Sequence, residues 1–550
     1  MQKIYYVVIV LFSMINTTLA QPLTGIKTIG GSSPDYAKVN FAIMALNVNG
    51  VGSGGVTFNI RDGVYTENVA LTAQGSLGNP ILFQSENQDA DLVTISSSAA
   101  ADVITLTGAD YVTFSELTID YSGVSTFSAI TIQDNADNVT IINCILDGAS
   151  TTGTNYASSA VYAGETSSGS DCDNFVLQNC ILRNGSYGIA FDMSTTQPSG
   201  LLITDNEFEN NYAGGMYLKD LSSITIEGNT IHTTQINNSS FKGISIDNCD
   251  GQSNIIKNYI YTEGSGRIAY GIDFNGCSST SGNESLIANN SIQVTNTNSL
   301  AYGLYQSNNS NYWKIYNNTI YISGGTSSGN NAYNTFTASN DTKIKNNIFV
   351  NASTATGSNQ NRTVYLANTS GINEIEYNCY WTANTGNPFT GFYGNSFSNF
   401  SSYTTATDEN YSLNIDPQMI FVTGIGWKAT NTALIGTGIN LTESITDIDG
   451  NSRVTPTSIG AHELDISISV VENNEQFITV YEWQRTLFVS SKIKCDAQIS
   501  VFDISGREVL KYNLEQLQTE QLNLSALETG IYVVIVSIAG KVFTAKLLIR

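Results

Sequence analysis

Positive charge is scarce in this chain. Its 550 residues hold 23 Lys and Arg against 47 Asp and Glu, a formal net charge of -24. A surface so poor in cations is a bad match for nucleic acid or for anionic lipid. It would hold a polyanion only with divalent cations bridging acid to acid, which makes Ca2+ the one cofactor worth keeping in view. Histidine is rarer still: His232 and His462 are the only two, too few for a Ser-His nucleophile constellation. Seven cysteines in a chain of this length make no disulfide framework, and no spacing among them suits zinc or an iron–sulfur cluster. Long apolar runs are absent beyond residues 4–14. That run follows Lys3 and precedes Thr18-Leu19-Ala20, so residues 1–20 read as a secretory signal peptide cut before Gln21, too short for a membrane anchor.

What the chain does have is a repeat. An apolar or β-branched residue, two variable residues, Asn, one variable residue and an apolar residue recur nine times, with Asn at 143, 179, 206, 229, 258, 290, 318, 347 and 378. Successive Asn positions step by 36, 27, 23, 29, 32, 28, 29 and 31, a core unit of nearly constant length carrying loops of variable length. Each unit is too short to hold a βαβ crossover, and its β-branched and aromatic runs alternate with period two. The strands must therefore pair with the next unit. Stacking sets equivalent residues about 4.8 Å apart, where Asn tolerates a bend and passes a hydrogen bond to the Asn of the next coil. A second repeat runs in phase: Gly188, Gly215, Gly243, Gly271 and Gly303 each open an apolar-alternating stretch, at steps of 27, 28, 28 and 32. Two landmarks per coil mean at least two strands per coil, with Gly expected at a corner that needs backbone freedom.

These two repeats resemble those of right-handed parallel β-helix proteins, the pectate-lyase-like superfamily, over about residues 21–465. The resemblance implies an all-β fold and leaves chemistry open, because the superfamily holds lyases, hydrolases, esterases, adhesins and inert spikes. Ser33-Pro34 opens a stretch with Val39, Ala42, Ile43 and Leu46 at helical spacing, a cap for the first coil with Pro at the first helical turn. At the other end Asp416-Pro417, Arg453 and Ile459-Gly460-Ala461-His462-Glu463 resemble the closing segment of secreted β-helix proteins, with His462 in place of the usual aromatic. Asp447-Ile448-Asp449-Gly450 reads as a turn, with calcium binding as the rival.

After an acidic linker at 466–476, residues 477–550 form a strand-rich module with Gly turns, expected to be a small β-sandwich. Ile499-Ser500-Val501-Phe502-Asp503, Gly506-Arg507, Leu524, Leu527, Gly530-Ile531-Tyr532-Val533 and Gly540-Lys541 resemble the C-terminal sorting domain of type IX secretion. The resemblance implies export to the outside or the outer surface of a Gram-negative bacterium, with the secretion machinery as partner. It gives Gly506, Arg507, Gly530 and Lys546 to export rather than catalysis.

The register points to one polar constellation. Counting from each repeat Gly, residues one and three further on face inward and those two and four further on face solvent. The row at four is Asp192, Lys219, Asp247, Asn275 and Ser307; the row at two is Ala190, Tyr217, Ser245, Asp273 and Tyr305. Asp192, Lys219, Asp247 and Asp273 are the candidate catalytic residues, with Tyr217, Lys242, Arg267 and Tyr305 as substrate contacts. A lyase acting on a uronate needs acids or calcium to neutralise the carboxylate, and a base to take the neighbouring proton. An inverting hydrolase needs two carboxyls with room for water between them, and Asp192 and Asp247, two coils apart, lie about 9.6 Å apart along the stack. Against both stands a plain solvated ion ladder, worth about 1 kcal/mol at most. The expected function is a secreted protein that binds, and in one version cleaves, polysaccharide; the rival is a non-catalytic surface adhesin or structural protein. Cys144 with Cys180, and Cys249 with Cys277, fall at adjacent-coil spacing, open to disulfides or to buried thiols.

Overall fold

One coil shows how the sequence makes the fold. Leu202–Thr204 runs in a first sheet, Asp205 turns the chain in the left-handed region at φ 57°, and Asn206 fills the inside of the corner. Glu207–Glu209 continues in a second sheet, and Gly214–Lys219 adds to a third. The next coil pairs in parallel and in register: Ile203 opposite Ile226, Phe208 opposite Ile231, Leu218 opposite Ile246. Repetition of this step builds three sheets of 13, 12 and 13 strands, so each coil carries three strands. The computed structural model is thus an all-β parallel solenoid. It describes residues 21–549 except 125, 165–171, 195–196, 235–239, 263–266, 297–298, 325–328, 337–339, 354–360, 368, 384–388, 423–425, 465–477, 484 and 539–540. The expected signal peptide at 1–20 and the linker expected at 466–476 lie outside the described residues.

Alternation within the strands fills the interior. Ile203, Phe208 and Leu218 are fully buried, and equivalent residues stack coil on coil, as in Phe58, Phe83 and Phe114 with ring centroids 4.7 and 5.5 Å apart. The repeat glycines stand inside strands of the third sheet, not at corners. A Cβ on Gly243 would lie 2.5 Å from the Ile260 side chain and 2.6 Å from the Gly271 carbonyl, so what this position requires is space, not backbone freedom.

The Asn ladder runs from Asn206 through Asn229, Asn258, Asn290, Asn318 and Asn347 to Asn378, each side-chain amide donating to the next side-chain oxygen at 2.9 to 3.0 Å. The first two units depart from expectation by one residue. Leu177 pairs with Ile203, so Cys180, not Asn179, occupies the ladder site, and Cys144 likewise replaces Asn143. Asn143 and Asn179 take the left-handed corner at φ 54° and 51°, a conformation Asn tolerates. All six described cysteines are buried thiols. Cys249 and Cys277 form a second stack, the Cys249 N–H donating to Cys277 Sγ at 3.3 Å and the Cys277 N–H to Ser310 Oγ at 3.1 Å.

Both ends of the stack are closed. The cap helix is Val39–Asn49 and buries Val39, Ala42, Ile43 and Leu46, but it starts five residues after Pro34. The Asp35 carboxylate accepts from the Thr28 N–H and the Tyr36 N–H donates to the Thr28 carbonyl, which ties this stretch to the strand Leu23–Ile29. Glu67 then caps the true helix start, accepting from the Val39 and Asn40 N–H groups. At the far end the helix Phe400–Thr407 lays Tyr403 against Tyr380, and Glu409 ends the ladder by accepting from Asn378 at 3.3 Å and from the Tyr380 hydroxyl at 2.7 Å.

The closing segment does not stop at the last coil. It returns as a strap down the flank of the second sheet: Trp427 stacks on Tyr321 at 4.1 Å, Asn346 donates to the Ile439 carbonyl, and the Tyr259 hydroxyl donates to Asp449 at 2.8 Å. Arg453 knots its end, pairing with Glu463 at 3.2 Å and donating to Asn289 and to the Gly460 carbonyl. Asp447 accepts from the Asp449, Asn451 and Glu463 N–H groups, a turn held by protein donors.

The second compact unit, Leu464–Arg550, is antiparallel. Thr486–Asp503 pairs with Ile478–Trp483, Glu508–Asn523 and Gly530–Ile538, and Lys541–Ile549 adds at the edge, over a core that includes Leu487, Ile499, Val501 and Val534. This is the small C-terminal β domain expected. Gly506 makes the turn at φ 83°, Arg507 pairs with Asp503 at 3.1 Å, and Lys546 is exposed opposite Val533 on the neighbouring strand.

Candidate functional site on the outer face of the third sheet

The predicted residues do share one face. Asp192, Lys219, Asp247, Asn275 and Ser307 stand in register across five consecutive strands, as do Ala190, Tyr217, Ser245, Asp273 and Tyr305. Their environments differ from the expected open surface in two ways.

First, the row two residues after each Gly is largely covered. Ala190 and Ser245 are buried, and Tyr217 and Asp273 keep only 8% and 6% exposure. The short helix Tyr156–Ser158, in the loop before the third-sheet strand Val161–Gly164, folds over the face, and Tyr156 stacks on Tyr217 with ring centroids 4.1 Å apart. Burial and the neighbouring Tyr156 push the Tyr217 hydroxyl far above the ordinary tyrosine range, so it stays a proton donor. Loop length carries no periodic signal, which is why the register could not show this cover.

Second, the ions sort into separate pairs. Lys219 lies 3.4 Å from both Asp192 and Asp220, while Asp247 accepts from the Asn275 amide at 2.7 Å instead of sharing Lys219. Burial works to lower the Lys219 ammonium, but Asp192 and Asp220 outweigh it and hold it above its usual range. Lys242 reaches across to Asp273 at 2.5 Å, donates to Ser245 Oγ at 3.4 Å and lies 5.7 Å from the Tyr270 ring centre. Burial raises the Asp273 carboxyl above the normal range; Lys242 opposes this and Asp247 adds to it. Arg267 is exposed, and its backbone carbonyl accepts from Asn296.

The face continues past the predicted residues. Tyr270, Tyr302 and Tyr305 form a cluster with centroids 5.1 to 5.4 Å apart. Asn331 and Asn334 follow, then Arg362 and Tyr365, then Phe392, each in register with the last. Arg362 lies over Tyr365 and Phe392 at 5.2 and 5.4 Å. Ala332 and Thr363 take the place of the repeat Gly in these coils, so the Gly series stops at Gly303 while the face goes on.

A second polar cluster lies on the second sheet near the start of the stack, lining a cleft of about 420 Å³. Arg183 holds Asp147 through Nε at 3.1 Å and Nη2 at 2.9 Å, and burial followed by the Asp147 charge raises the adjacent Asp120. Among the described residues no three His, Cys, Asp or Glu side chains converge to hold a metal.

The family described as the right handed beta helix region matches residues 35–233 and 129–320, together more than half of the chain. The chain belongs to this right-handed β-helix family. The secretion system C-terminal sorting domain matches residues 483–550. The β-helix protein is therefore exported by type IX secretion to the cell surface or outside, and none of its described helices is long and apolar enough to cross a membrane. No curated protein sequence matches it. Among solved structures it is similar to a GH136 lacto-N-biosidase from Eubacterium ramulus, with 11% identity, a TM-score of 0.38 and coverage of 64% of this chain and 67% of that one. It is also similar to a PL6 family alginate lyase, at 13% identity and a TM-score of 0.35, covering 74% of this chain and 56% of the lyase. A third similar structure is the phiAB6 tailspike, in complex with oligosaccharides of Acinetobacter baumannii surface polysaccharide, at 9% identity and a TM-score of 0.21, covering 94% and 84%.

Proposed function

We propose that this secreted β-helix protein binds an extended polysaccharide along the outer face of the third sheet and hydrolyses it at Asp273 and Asp247. The observation that carries the reading is the offset between these two residues on one face of the sheet. Asp247 is in register with Asn275, so it stands one coil and two residues from Asp273. Strand geometry converts that offset to about 8 Å between the two backbones, a spacing from which side chains on one face can hold their carboxyls far enough apart for water. Asp273, raised by burial, would give its proton to the leaving glycosidic oxygen as the C1–O bond breaks, and Lys242 would pair with the carboxylate that this step leaves. Asp247 would take a proton from the water whose oxygen forms the new bond to C1, on the opposite face of the sugar. Lys242 then positions Asp273, and Lys219 with Asp192 orders the rim. Tyr305 offers its ring face and hydroxyl for sugar contact, while the ring of Tyr217 is already covered by Tyr156.

Incubating the mature protein with a panel of neutral and uronate polysaccharides, with and without calcium, and measuring reducing ends tests this reading. Release that disappears in both Asp273→Asn and Asp247→Asn supports it. Products bearing an unsaturated uronate would replace it with elimination. Binding without any release would favour a surface adhesin, a reading consistent with the engagement of Lys219 and Lys242 by neighbouring acids.

A further inference from the structure

We infer that the glycan taken by this face is neutral and hydroxyl-bearing, not a polyuronate. The inference rests on the glycan-binding reading above and adds the substrate class. Asn331 and Asn334 stand on the outer face one strand beyond Tyr302 and Tyr305, and one strand before Arg362 and Tyr365. Both are nearly buried, at 3% and 4% exposure, and the side-chain oxygen of each has no hydrogen-bond partner. A buried acceptor left unpaired is costly, so two of them on one face mark a place where something is meant to donate. Sugar hydroxyls donate; a uronate keeps some of them, but the carboxylate it adds only accepts and would set a negative oxygen on a face that already holds these two carboxamide oxygens and several aspartates.

The rest of the face agrees. Lys219 and Lys242, the cations nearest the proposed acids, are each held by an aspartate of the same face, and Arg362 is laid over the Tyr365 and Phe392 rings with its Nη2 donating to Ser396. The ring faces of Tyr302, Tyr305 and Tyr365 flank the two asparagines, a layout that suits the apolar face of a pyranose with its hydroxyls turned toward the amides. A neutral glycan also has no acidic C–H beside a carboxyl group, so elimination is closed to it and hydrolysis is the cleavage left.

Affinity electrophoresis of the full mature chain through gels containing xylan, mannan or mixed-linkage β-glucan, against gels containing alginate or polygalacturonate, tests the substrate class directly. Retardation by at least one neutral polymer and by neither polyuronate is the expected result. In an Asn331→Leu, Asn334→Leu double variant, with an unfolding midpoint matching the parent, retention should weaken about tenfold or more. Asn334→Ser alone serves if the double variant does not fold. Retention by a polyuronate as strong as by any neutral polymer overturns the inference and leaves glycan binding intact. Unchanged neutral retention in the asparagine variants overturns it as well. Retention by no polymer of either class overturns the glycan-binding reading itself, and the inference with it.

Discussion

The backbone N–H of Cys180 donates to the side-chain oxygen of Asn206 at 2.9 Å, and the Cys144 N–H donates in turn to Cys180 Sγ at 3.4 Å. The ladder therefore passes from amide to thiol without a break. Sulfur is a weak acceptor, so the two cysteine rungs hold their coils less firmly than the asparagine rungs do.

Rung strength gives a graded prediction. Asn258→Ala removes the acceptor of the Asn229 N–H and one acceptor of the Asn229 amide, which keeps the Ile203 and Glu227 carbonyls; one buried N–H is left unpaired, at a cost of about 1 to 3 kcal/mol. Cys180→Asn, which puts a stronger acceptor under Cys144, should cost less than 1 kcal/mol or stabilise. Urea unfolding of the two variants beside the parent measures both; equal losses would refute a ladder of unequal rungs.

The two lysines of the candidate site should differ in the same assay. Lys219→Met breaks pairs in which lysine and Asp192 are each about a third exposed, and should change stability by about 1 kcal/mol or less. Lys242→Met leaves Asp273 covered without its cation, and should cost about 2 kcal/mol, less than a fully enclosed pair because Lys242 itself reaches solvent.

Glu409 makes a pH signature. Burial lifts its carboxyl to about 7, against the favourable bonds from Ser412, Tyr380 and Asn378. Because the folded value lies above the unfolded one, the stabilising contribution is full at acid pH, below the unfolded value near 4.5, and is lost as pH rises through about 7. In Glu409→Gln, which keeps an acceptor and cannot ionise, stability relative to the parent should therefore rise between pH 5 and pH 8, by on the order of 3 kcal/mol if the shift is fully expressed. Thermal midpoints at those two pH values suffice. A difference that does not change with pH would show that Glu409 is not protonated in the folded chain.

Removing residues 477–550 should leave the protein in the periplasm while the β-helix unit, which has its own core, stays folded. Fractionation followed by limited proteolysis reads both outcomes. Surface delivery of the truncated chain would separate the sorting match from the route of export.

Much of this was legible in the sequence, for identifiable reasons. Asn206 to Asn378 could be found because a buried corner amide must recur once per coil. The same pattern misplaced Asn143 and Asn179, since Asn suits the left-handed corner as well as the inner rung, and nothing in the spacing says which role it plays. The shared face of Asp192, Lys219, Asp247 and Asp273 followed from alternation alone. Which acid each lysine would choose did not, because Asp220 belongs to no repeat. Asn331 and Asn334 went unread because Ala332 and Thr363 had replaced the marker glycine.

The strap carries a mechanical consequence. The β-helix chain ends not at its last coil but on the flank, where Gly460 and Ala461 bond to Asn346 and Thr319, one and two coils earlier. Tension drawn through the C-terminal tail would first load the Arg453–Glu463 knot and peel the strap coil by coil, while the hydrogen bonds between coils bear no force until it has gone.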